Sequence, residues 1–460
     1  MADNIADLFA QCERDRFSMH ARHLNEQMVR VLKTIGYDVG FCRGEGQYLY
    51  DRKGMRYLDL LSGFGVFAIG RNHPALREAL KSILDADLPN LVHMDVSTLA
   101  GILATRLLAY VPYLDRVLFL NSGSEAVEAA IKFARAATGR PGIAYCENAF
   151  HGLSCGALSL NGCDSFRNGF EPLLPNCVRV PFNDLVGLER ALHSKSVAAF
   201  IVEPIQGKGV NMPADDYLKT AADLCRKHGT LFVADEVQTG LGRTGRFLAV
   251  EHWNVEPDMV LLAKTLSGGH VPVAALLARK KVFDKVFDTM ERAVVHGSTF
   301  GGNDLAMAAG IATLDVLAAE KLTNRAAHLG ERLLQAFTAI IPRHEFLSDV
   351  RGKGLMIGIE FGPPQAVKLK ALWHTLEAAK AGLFCQLITM PLFKEHKVLS
   401  QVASHGSHTI KLLPSLIISV ADCEWIVSAF DSVLADSEHV PGAVWSLARS
   451  LVSHTVRASA

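Results

Sequence analysis

Short apolar runs alternate with helical segments through the middle of the chain. The most continuous runs occupy residues 116–120, 198–202, 230–234, 259–262 and 273–277. Such runs are typical of strands that are covered on both faces. Segments with helical spacing of apolar residues, for example 217–227, lie between them. This alternation predicts an α/β domain with a mostly parallel sheet and helices on both of its faces.

The two ends of the chain follow other patterns. Residues 1 to about 38 carry apolar side chains at helical spacing, including Leu24, Met28 and Val31, and this spacing predicts helix. Segment 48–59 alternates around a polar turn and predicts a hairpin. After about residue 311 the pattern predicts a long helix, then a strand near residues 354–359 and further mixed structure.

These patterns divide the chain into four segments. Residues 1–70 form a helix and hairpin segment that belongs to a smaller α+β domain, and residues 71–310 form the large domain. Residues 311–435 complete the smaller domain. Residues 436–460 are an extra tail, predicted to be helical from its apolar spacing. Basic charge in the tail is sparse, so packing on the protein itself is favoured over contact with a membrane surface.

Composition narrows the class of protein. The 460 residues are 49% hydrophobic and 20% charged, as in a globular enzyme. Lys and Arg together number 47, as do Asp and Glu, so no net charge attracts nucleic acid or anionic lipid. The nine cysteines show no C-x-x-C spacing, which argues against a zinc site or other metal centre and favours reduced thiols in the cytoplasm. No signal core or membrane-length apolar stretch is seen, in keeping with a cytoplasmic protein.

A lysine and an aspartate follow two of the predicted strands. Lys264 comes directly after the run 258–263, and Asp235 ends the run 231–235. Ligands of open α/β sheets bind beyond the carboxyl ends of the strands. A lysine that forms a Schiff base and a carboxylate that holds a pyridinium proton are the pair that pyridoxal phosphate requires. The sequence therefore predicts a pyridoxal phosphate site.

Other segments fit a cofactor site less specifically. A small polar turn that includes Gly123 and Ser124 precedes a predicted helix and would expose backbone N–H groups to a phosphate, although ordinary helix capping explains it equally well. Phe150 would stack on a heterocycle, with a core Phe and a polar His151 as the alternative. The match to G-x-G-x-x-G at 240–245 lacks the following helix, which argues against dinucleotide binding.

Taken together, these motifs resemble the class III, fold-type-I pyridoxal phosphate aminotransferases. The resemblance covers roughly residues 40–430 and rests on segments in one order: SGSEAVEAAIKFARAATG, FHG, VEPIQG, ADEVQTGLGRTGRF, PDMVLLAKTLSGG, GSTFGGN and RGKGL. It implies a large domain with a mostly parallel seven-stranded sheet and a smaller α+β domain built from both termini. It also implies a homodimer with a shared active site and a reaction in two half-reactions.

The resemblance implies a role for each residue around the cofactor ring. Lys264 would form the Schiff base and shuttle the proton, and Asp235 would pair with the ring nitrogen. Gln238 would donate to the ring oxygen. Phe150 would stack on one face of the ring, and Val237 would pack on the other.

Five further residues would complete the cofactor site by the same resemblance. Gly123 and Ser124 would hold the phosphate, and Thr299 would reach the phosphate of the neighbouring subunit. Glu203 and His151 would belong to the polar surroundings of the cofactor.

The chain departs from the ornithine, acetylornithine and putrescine branch that it resembles most. Phe64 stands where an aromatic hydroxyl is expected, and Leu153 stands where an arginine follows the FHG segment. Lys411 replaces a second arginine, and segment 207–209 lacks that arginine's glutamate partner. Because a lysine cannot bind a carboxylate in the forked manner of arginine, we expect a donor without an anchored α-carboxylate. Diamines, amino alcohols and larger apolar or lipid-like amines or aldehydes meet that condition.

Two alternatives to this reading stay open. The chain would be an ornithine or acetylornithine type of ω-aminotransferase if the replaced side chains do not decide the donor. It would be an aminomutase of the same fold if the amino group moves within one molecule.

Overall fold

The computed structural model describes residues 4–92 and 94–439. The strands in this part of the chain, numbered in order, are β1 (Phe41–Glu45), β2 (Tyr48–Asp51), β3 (Arg56–Asp59), β4 (Arg116–Leu120), β5 (Gly142–Cys146), β6 (Cys177–Val180), β7 (Val197–Val202), β8 (Leu231–Asp235), β9 (Met259–Leu262), β10 (Ala274–Ala278), β11 (Leu347–Lys353), β12 (Met356–Phe361), β13 (Val398–Leu399), β14 (Gln401–Val402) and β15 (Thr409–Leu412).

The α-helices are numbered in the same way. They are α1 (Ile5–Cys12), α2 (Arg16–His23), α3 (Glu26–Ile35), α4 (Ser62–Gly65), α5 (Pro74–Asp85), α6 (Thr98–Tyr110), α7 (Gly123–Thr138), α8 (Cys155–Ser159), α9 (Asp164–Arg167), α10 (Leu185–His193), α11 (Tyr217–His228), α12 (Lys280–Phe283), α13 (Asp304–Ala319), α14 (Leu322–Ile340), α15 (Val367–Ala379), α16 (Leu383–Lys394) and α17 (Val420–Glu438).

The central sheet has seven strands in the order β4-β10-β9-β8-β7-β5-β6. Strands β9, β8, β7, β5 and β6 run parallel to one another, and β10 runs antiparallel to both of its neighbours. The predicted mostly parallel, seven-stranded sheet is therefore confirmed. Every residue of β5, β7, β9 and β10 is buried, which explains why these strands appear in the sequence as unbroken apolar runs.

Alternate residues of these strands enter two separate cores. Phe200 and Val260 belong to one hydrophobic cluster, whereas Ile201 and Leu261 belong to the other, which also contains the buried face of α7. The two-residue period of a strand produces this division, since successive side chains point to opposite faces of the sheet. Helices on both faces hold the strand ends in fixed positions.

Two smaller sheets lie outside the central one. Strands β11, β12, β15 and β14 form one, and β1, β2, β3 and β13 form the other. The predicted hairpin is present as β2 and β3. The pairing of β3 with β13 joins the N-terminal segment to the C-terminal part of the chain, as the implied smaller domain requires. The first 38 residues, by contrast, are not one helix, because α1, α2 and α3 are separate.

The glycine-rich segment 240–245 forms turns, and no helix begins there. Its Arg243 is fully buried, and its guanidinium donates to the carbonyl oxygens of Leu355 and Pro414. The segment therefore connects the central sheet to the region of the smaller sheets rather than forming a dinucleotide site.

The C-terminal tail was predicted from residue 436. Residues 436–438 belong to α17, and the rest of the predicted tail helix, from residue 440, lies outside the described residues. In the part of the chain that is described, no helix combines the length and apolar character needed to cross a membrane.

Candidate active site

Lys264 and Asp235 meet at the carboxyl edge of the central sheet. Asp235 is the last residue of β8 and lies opposite Leu261 of the neighbouring parallel strand β9. Lys264 follows two residues after β9 ends, at a φ of 40°. This left-handed backbone is strained for a residue with a side chain, and such strain is concentrated at functional sites. The sequence prediction that parallel strands bring these two residues together agrees with this geometry.

The environment of Lys264 makes its amine easier to deprotonate than that of an exposed lysine. Burial lowers the pKa of Lys264 below its ordinary value, and the charges of Asp235 and Glu203 oppose this shift without cancelling it. Among the described residues, none accepts a hydrogen bond from its Nζ. An unprotonated and unengaged amine is the form that attacks an aldehyde.

Asp235 has a partner that the sequence did not reveal. Its Oδ2 lies 2.7 Å from Nδ1 of His151, and its Oδ1 accepts a hydrogen bond of 3.1 Å from the backbone N–H of Val237. Burial acts to lower the pKa of His151, but the hydrogen bond and charge of Asp235, together with the charge of Glu203, raise it above its usual value. His151 therefore supplies a hydrogen-bond partner to Asp235 in a site where an unpaired carboxylate is costly.

The start of α7 is the turn predicted to hold a phosphate. Ser122 caps the helix by accepting from the N–H of Glu125, so the capping alternative is correct for Ser122. Gly123 and Ser124 follow as the first helical residues, where N–H groups lack partners within the helix. A Cβ on Gly123 would lie 3.0 Å from a methyl group of Val237, so the helix start is packed closely against the ring-contacting segment.

The two glutamates of this turn point away from the anion site. Glu125 accepts from the backbone N–H of Asn121 at 2.8 Å. Glu128 accepts from the hydroxyl of Ser154 at 2.6 Å and from the N–H of Gly156 at 2.8 Å. Both carboxylates are therefore hydrogen-bonded to other groups, and the positive end of the helix dipole stays open to a phosphate.

Glu203 joins three segments of the site. One carboxylate oxygen accepts from the N–H of Phe150 at 2.9 Å, and the other accepts from the N–H of Gly207 at 2.8 Å. Burial raises the pKa of Glu203, while the charge of His151 opposes that shift. The residue fixes the backbone on which Phe150 stands.

Gln238 and Lys411 form a second polar link. The amide of Gln238 donates to the carbonyl oxygen of Phe64 at 3.1 Å and accepts from Nζ of Lys411 at 3.1 Å. Lys411, on β15, also donates to the carbonyl oxygen of Gly207 at 2.6 Å. Burial, the charge of Lys264 and that of Lys208 lower the pKa of Lys411 to about 7, against the charge of Glu203.

Three predicted residues lie at exposed positions. Phe64 is 54% exposed, in a turn with a φ of 61°, and Leu153 is 57% exposed. Thr299 is also exposed, in the loop that precedes α13. Its neighbour Ser298 accepts a hydrogen bond of 2.6 Å from the amide of Asn121, which lies just before the turn at Gly123. The contact of Thr299 with the phosphate of a neighbouring subunit stays a prediction.

Comparison with known proteins agrees with the fold and the site. Residues 35–434 match the family model of the class-III aminotransferases. The chain is 36% identical over 452 residues to aminotransferase PigE of Serratia sp. strain ATCC 39006, covering 91% of this chain but only 53% of that protein's length. The ornithine aminotransferase of Toxoplasma gondii ME49 superimposes with a TM-score of 0.80 at 31% identity, covering 93% of this chain and 96% of that one. An amine transaminase from an uncultivated Pseudomonas species, solved with PLP bound, gives a TM-score of 0.75 at 28% identity, covering 86% and 94%.

The sheet, with Lys264 and Asp235 at its carboxyl edge, is that of a fold-type-I pyridoxal phosphate transferase. Within that class, the chain belongs to the class III aminotransferases, and its cofactor is pyridoxal phosphate.

The residues present fit this cofactor. The start of α7 carries open N–H groups for a phosphate, and Lys264 offers an amine with a lowered pKa. The buried pair of Asp235 and His151 supplies an anion for a pyridinium nitrogen. When bound, the cofactor takes up the electron pair left when a proton leaves the substrate carbon. Lys264 would carry that proton, and Asp235 would hold the proton on the ring nitrogen.

Covalent attachment at Lys264 is directly testable. Borohydride reduction of the protein with its cofactor, followed by peptide mass spectrometry, should place the adduct on Lys264. The variant Lys264→Ala should carry no adduct after the same treatment, because no other described lysine follows β9 beside Asp235. An adduct on Lys411, the other buried lysine of the site, would contradict the assignment.

The pair of His151 and Asp235 should matter for stability as well. In the protein freed of cofactor, His151→Ala should cost about 3–5 kcal/mol of unfolding free energy, because Asp235 would stay buried without its partner. Urea unfolding measures the difference. As a control, Arg106→Ala breaks an exposed ion pair with Asp315 and should cost about 0–1 kcal/mol. Equal losses in the two variants would show that the buried pair has no special role.

Proposed function

We propose that the protein moves an amino group between a primary terminal amine and a keto acid or aldehyde, and that the amine donor lacks an arginine-anchored α-carboxylate. The observation that carries the donor assignment is the pair of substitutions at Leu153 and Lys411. Leu153 is an exposed apolar side chain at the site, and it cannot bind a carboxylate. Lys411 is already bound to Gly207 and Gln238. Diamines, amino alcohols and larger apolar or lipid-like amines are the donor classes that remain.

Phe64 supports the same assignment. Its ring has no hydroxyl to donate to a polar group on the donor, and it is exposed at the turn whose carbonyl oxygen binds Gln238. An exposed aromatic ring and an exposed leucine provide apolar surface for a substrate side chain. On the acceptor side, Lys411 would bind the carboxylate of a keto acid as a point charge only after releasing Gly207 or Gln238.

We further propose a homodimer with a shared active site in the cytoplasm. Several apolar side chains near the loop of Thr299 are highly exposed in the single chain: Met94 97%, Val96 87%, Met290 90%, Val294 90% and Phe300 60%. A patch of this kind marks an interaction surface, and a second copy of the chain would bury it. The nine free cysteines support a reducing compartment.

A donor panel tests the amine assignment. Ornithine, putrescine, aminobutanol and hexylamine are each assayed with pyruvate and with 2-oxoglutarate. At least one donor without a carboxylate should exceed ornithine in kcat/KM by about tenfold, the value of one charge-assisted contact. Ornithine as the best donor would favour the ornithine-type alternative. If a donor is converted to an isomer, with no ammonia released and no amino group transferred to either acceptor, the aminomutase alternative would be favoured.

Introducing arginine at positions 153 and 411 should reverse the preference for donors without a carboxylate. The double variant Leu153→Arg and Lys411→Arg offers forked carboxylate binding, and it should raise kcat/KM for ornithine by about tenfold or more. The matched control is Leu153→Gln with Lys411→Gln, which adds polarity without positive charge. An equal gain in both double variants would refute carboxylate anchoring as the missing element.

Complementation between variants tests the shared site. Thr299→Ala should weaken pyridoxal phosphate binding by about tenfold to a hundredfold, because a hydrogen bond to a charged group is lost. A mixed dimer of Thr299→Ala with Lys264→Ala then holds one complete site, since the intact lysine of one subunit meets the intact threonine of the other. Cofactor titration should recover wild-type affinity at half the sites. No recovery would place Thr299 in the site of its own chain.

A further inference from the structure

A second lysine stands beside the aromatic wall of the site. Nζ of Lys208 lies 3.9 Å from the ring centroid of Phe166 and 4.9 Å from that of Phe150. The two rings lie 5.6 Å apart at an angle of 70°. Because Phe150 is the residue predicted to stack on the cofactor, the ammonium of Lys208 borders the space in which the substrate meets the cofactor.

Lys411, on β15, is bound to the backbone turn that contains Lys208. Lys208 directly follows Gly207, whose carbonyl oxygen accepts from Nζ of Lys411 at 2.6 Å. The charges of Lys208 and Lys264 both act on Lys411 and favour its neutral form. Three amines are therefore concentrated around one small volume.

The neighbouring carboxylates do not offset these charges for a ligand. The acids that act on the three lysines are Glu203 and Asp235. Glu203 is held by two backbone N–H groups, and Asp235 is held by His151 and by a third N–H group. Both acids are buried. Among the described residues, a cationic group on a substrate would therefore meet the ammonium of Lys208 and no available carboxylate.

We propose that Lys208 is a specificity residue that rejects a second ammonium group on the amine donor, while Lys411 holds the turn that carries it. Donors with a neutral aliphatic or aromatic far end are accepted, because they pack against Phe150 and Phe166 without meeting a like charge. Diamines of equal length are disfavoured because their second ammonium group is repelled by a like charge. The specificity then comes from an unfavourable contact with the wrong donor and not from a stronger contact with the right one. The inference rests on the proposed function and removes diamines from the donor classes named there.

The test compares hexylamine, aminohexanol and hexamethylenediamine, which have the same carbon chain. Each is added to the protein with bound pyridoxal phosphate and without an acceptor, and the change in cofactor absorbance gives a half-saturation concentration. Wild-type protein should require about tenfold more hexamethylenediamine than hexylamine. Lys208→Met keeps an unbranched side chain only one atom shorter and removes its charge, so it should bring this ratio close to one. Lys208→Glu should favour the diamine.

The control variant is Lys219→Met, which removes an exposed lysine of α11 and should leave the ratio unchanged. Circular dichroism and the absorbance of bound cofactor verify that each variant is folded and loaded. A ratio that is the same in wild type, Lys208→Met and Lys208→Glu would overturn the inference while leaving the proposed function intact. A lower half-saturation for the diamine in wild type would also overturn it. Failure of all three amines to alter the absorbance would instead refute the proposed function.

Discussion

The hydrogen bond between Asp235 and His151 is the interaction on which the rest of the site depends. A carboxylate at the end of a buried strand is costly unless it is paired, and His151 supplies a partner of raised pKa at 2.7 Å. The pair keeps a negative charge in place at the sheet edge, next to the amine of Lys264. Pyridoxal chemistry needs this anion, because it keeps the cofactor ring able to accept electrons.

Gly207 is the centre of a second network that positions the substrate side of the site. Its N–H binds the buried Glu203, and its carbonyl oxygen binds Lys411. Glu203 in turn holds the backbone of Phe150, and Lys411 holds the amide of Gln238. A single backbone turn therefore links strand β7, the aromatic wall and the smaller sheet that contains β15. Motion in this turn would change the cofactor site and the substrate site together.

The cofactor residues and the predicted substrate residues lie on different parts of the fold, which explains how one fold accommodates different donors. The cofactor contacts sit on strand ends and on the start of a long helix, which the two hydrophobic cores hold in place. The side chains of Phe64 and Leu153, the predicted substrate contacts, are exposed. Substitution there alters which amine is bound without disturbing the charges that the reaction uses, in keeping with the separation of fold and specificity.

Sequence by itself determined the architecture and the reacting pair. Unbroken apolar runs such as 259–262 identified doubly covered strands, and parallel strands necessarily place their carboxyl ends at one edge, where Lys264 and Asp235 follow. Tertiary structure alone decided the partners of the buried charges. His151 is 84 positions from Asp235, and Lys411 is 204 positions from Gly207, so no local spacing connects them. Chain patterns report burial through short-range periodicity, whereas a buried charge is satisfied by whichever donor the fold brings within hydrogen-bonding distance.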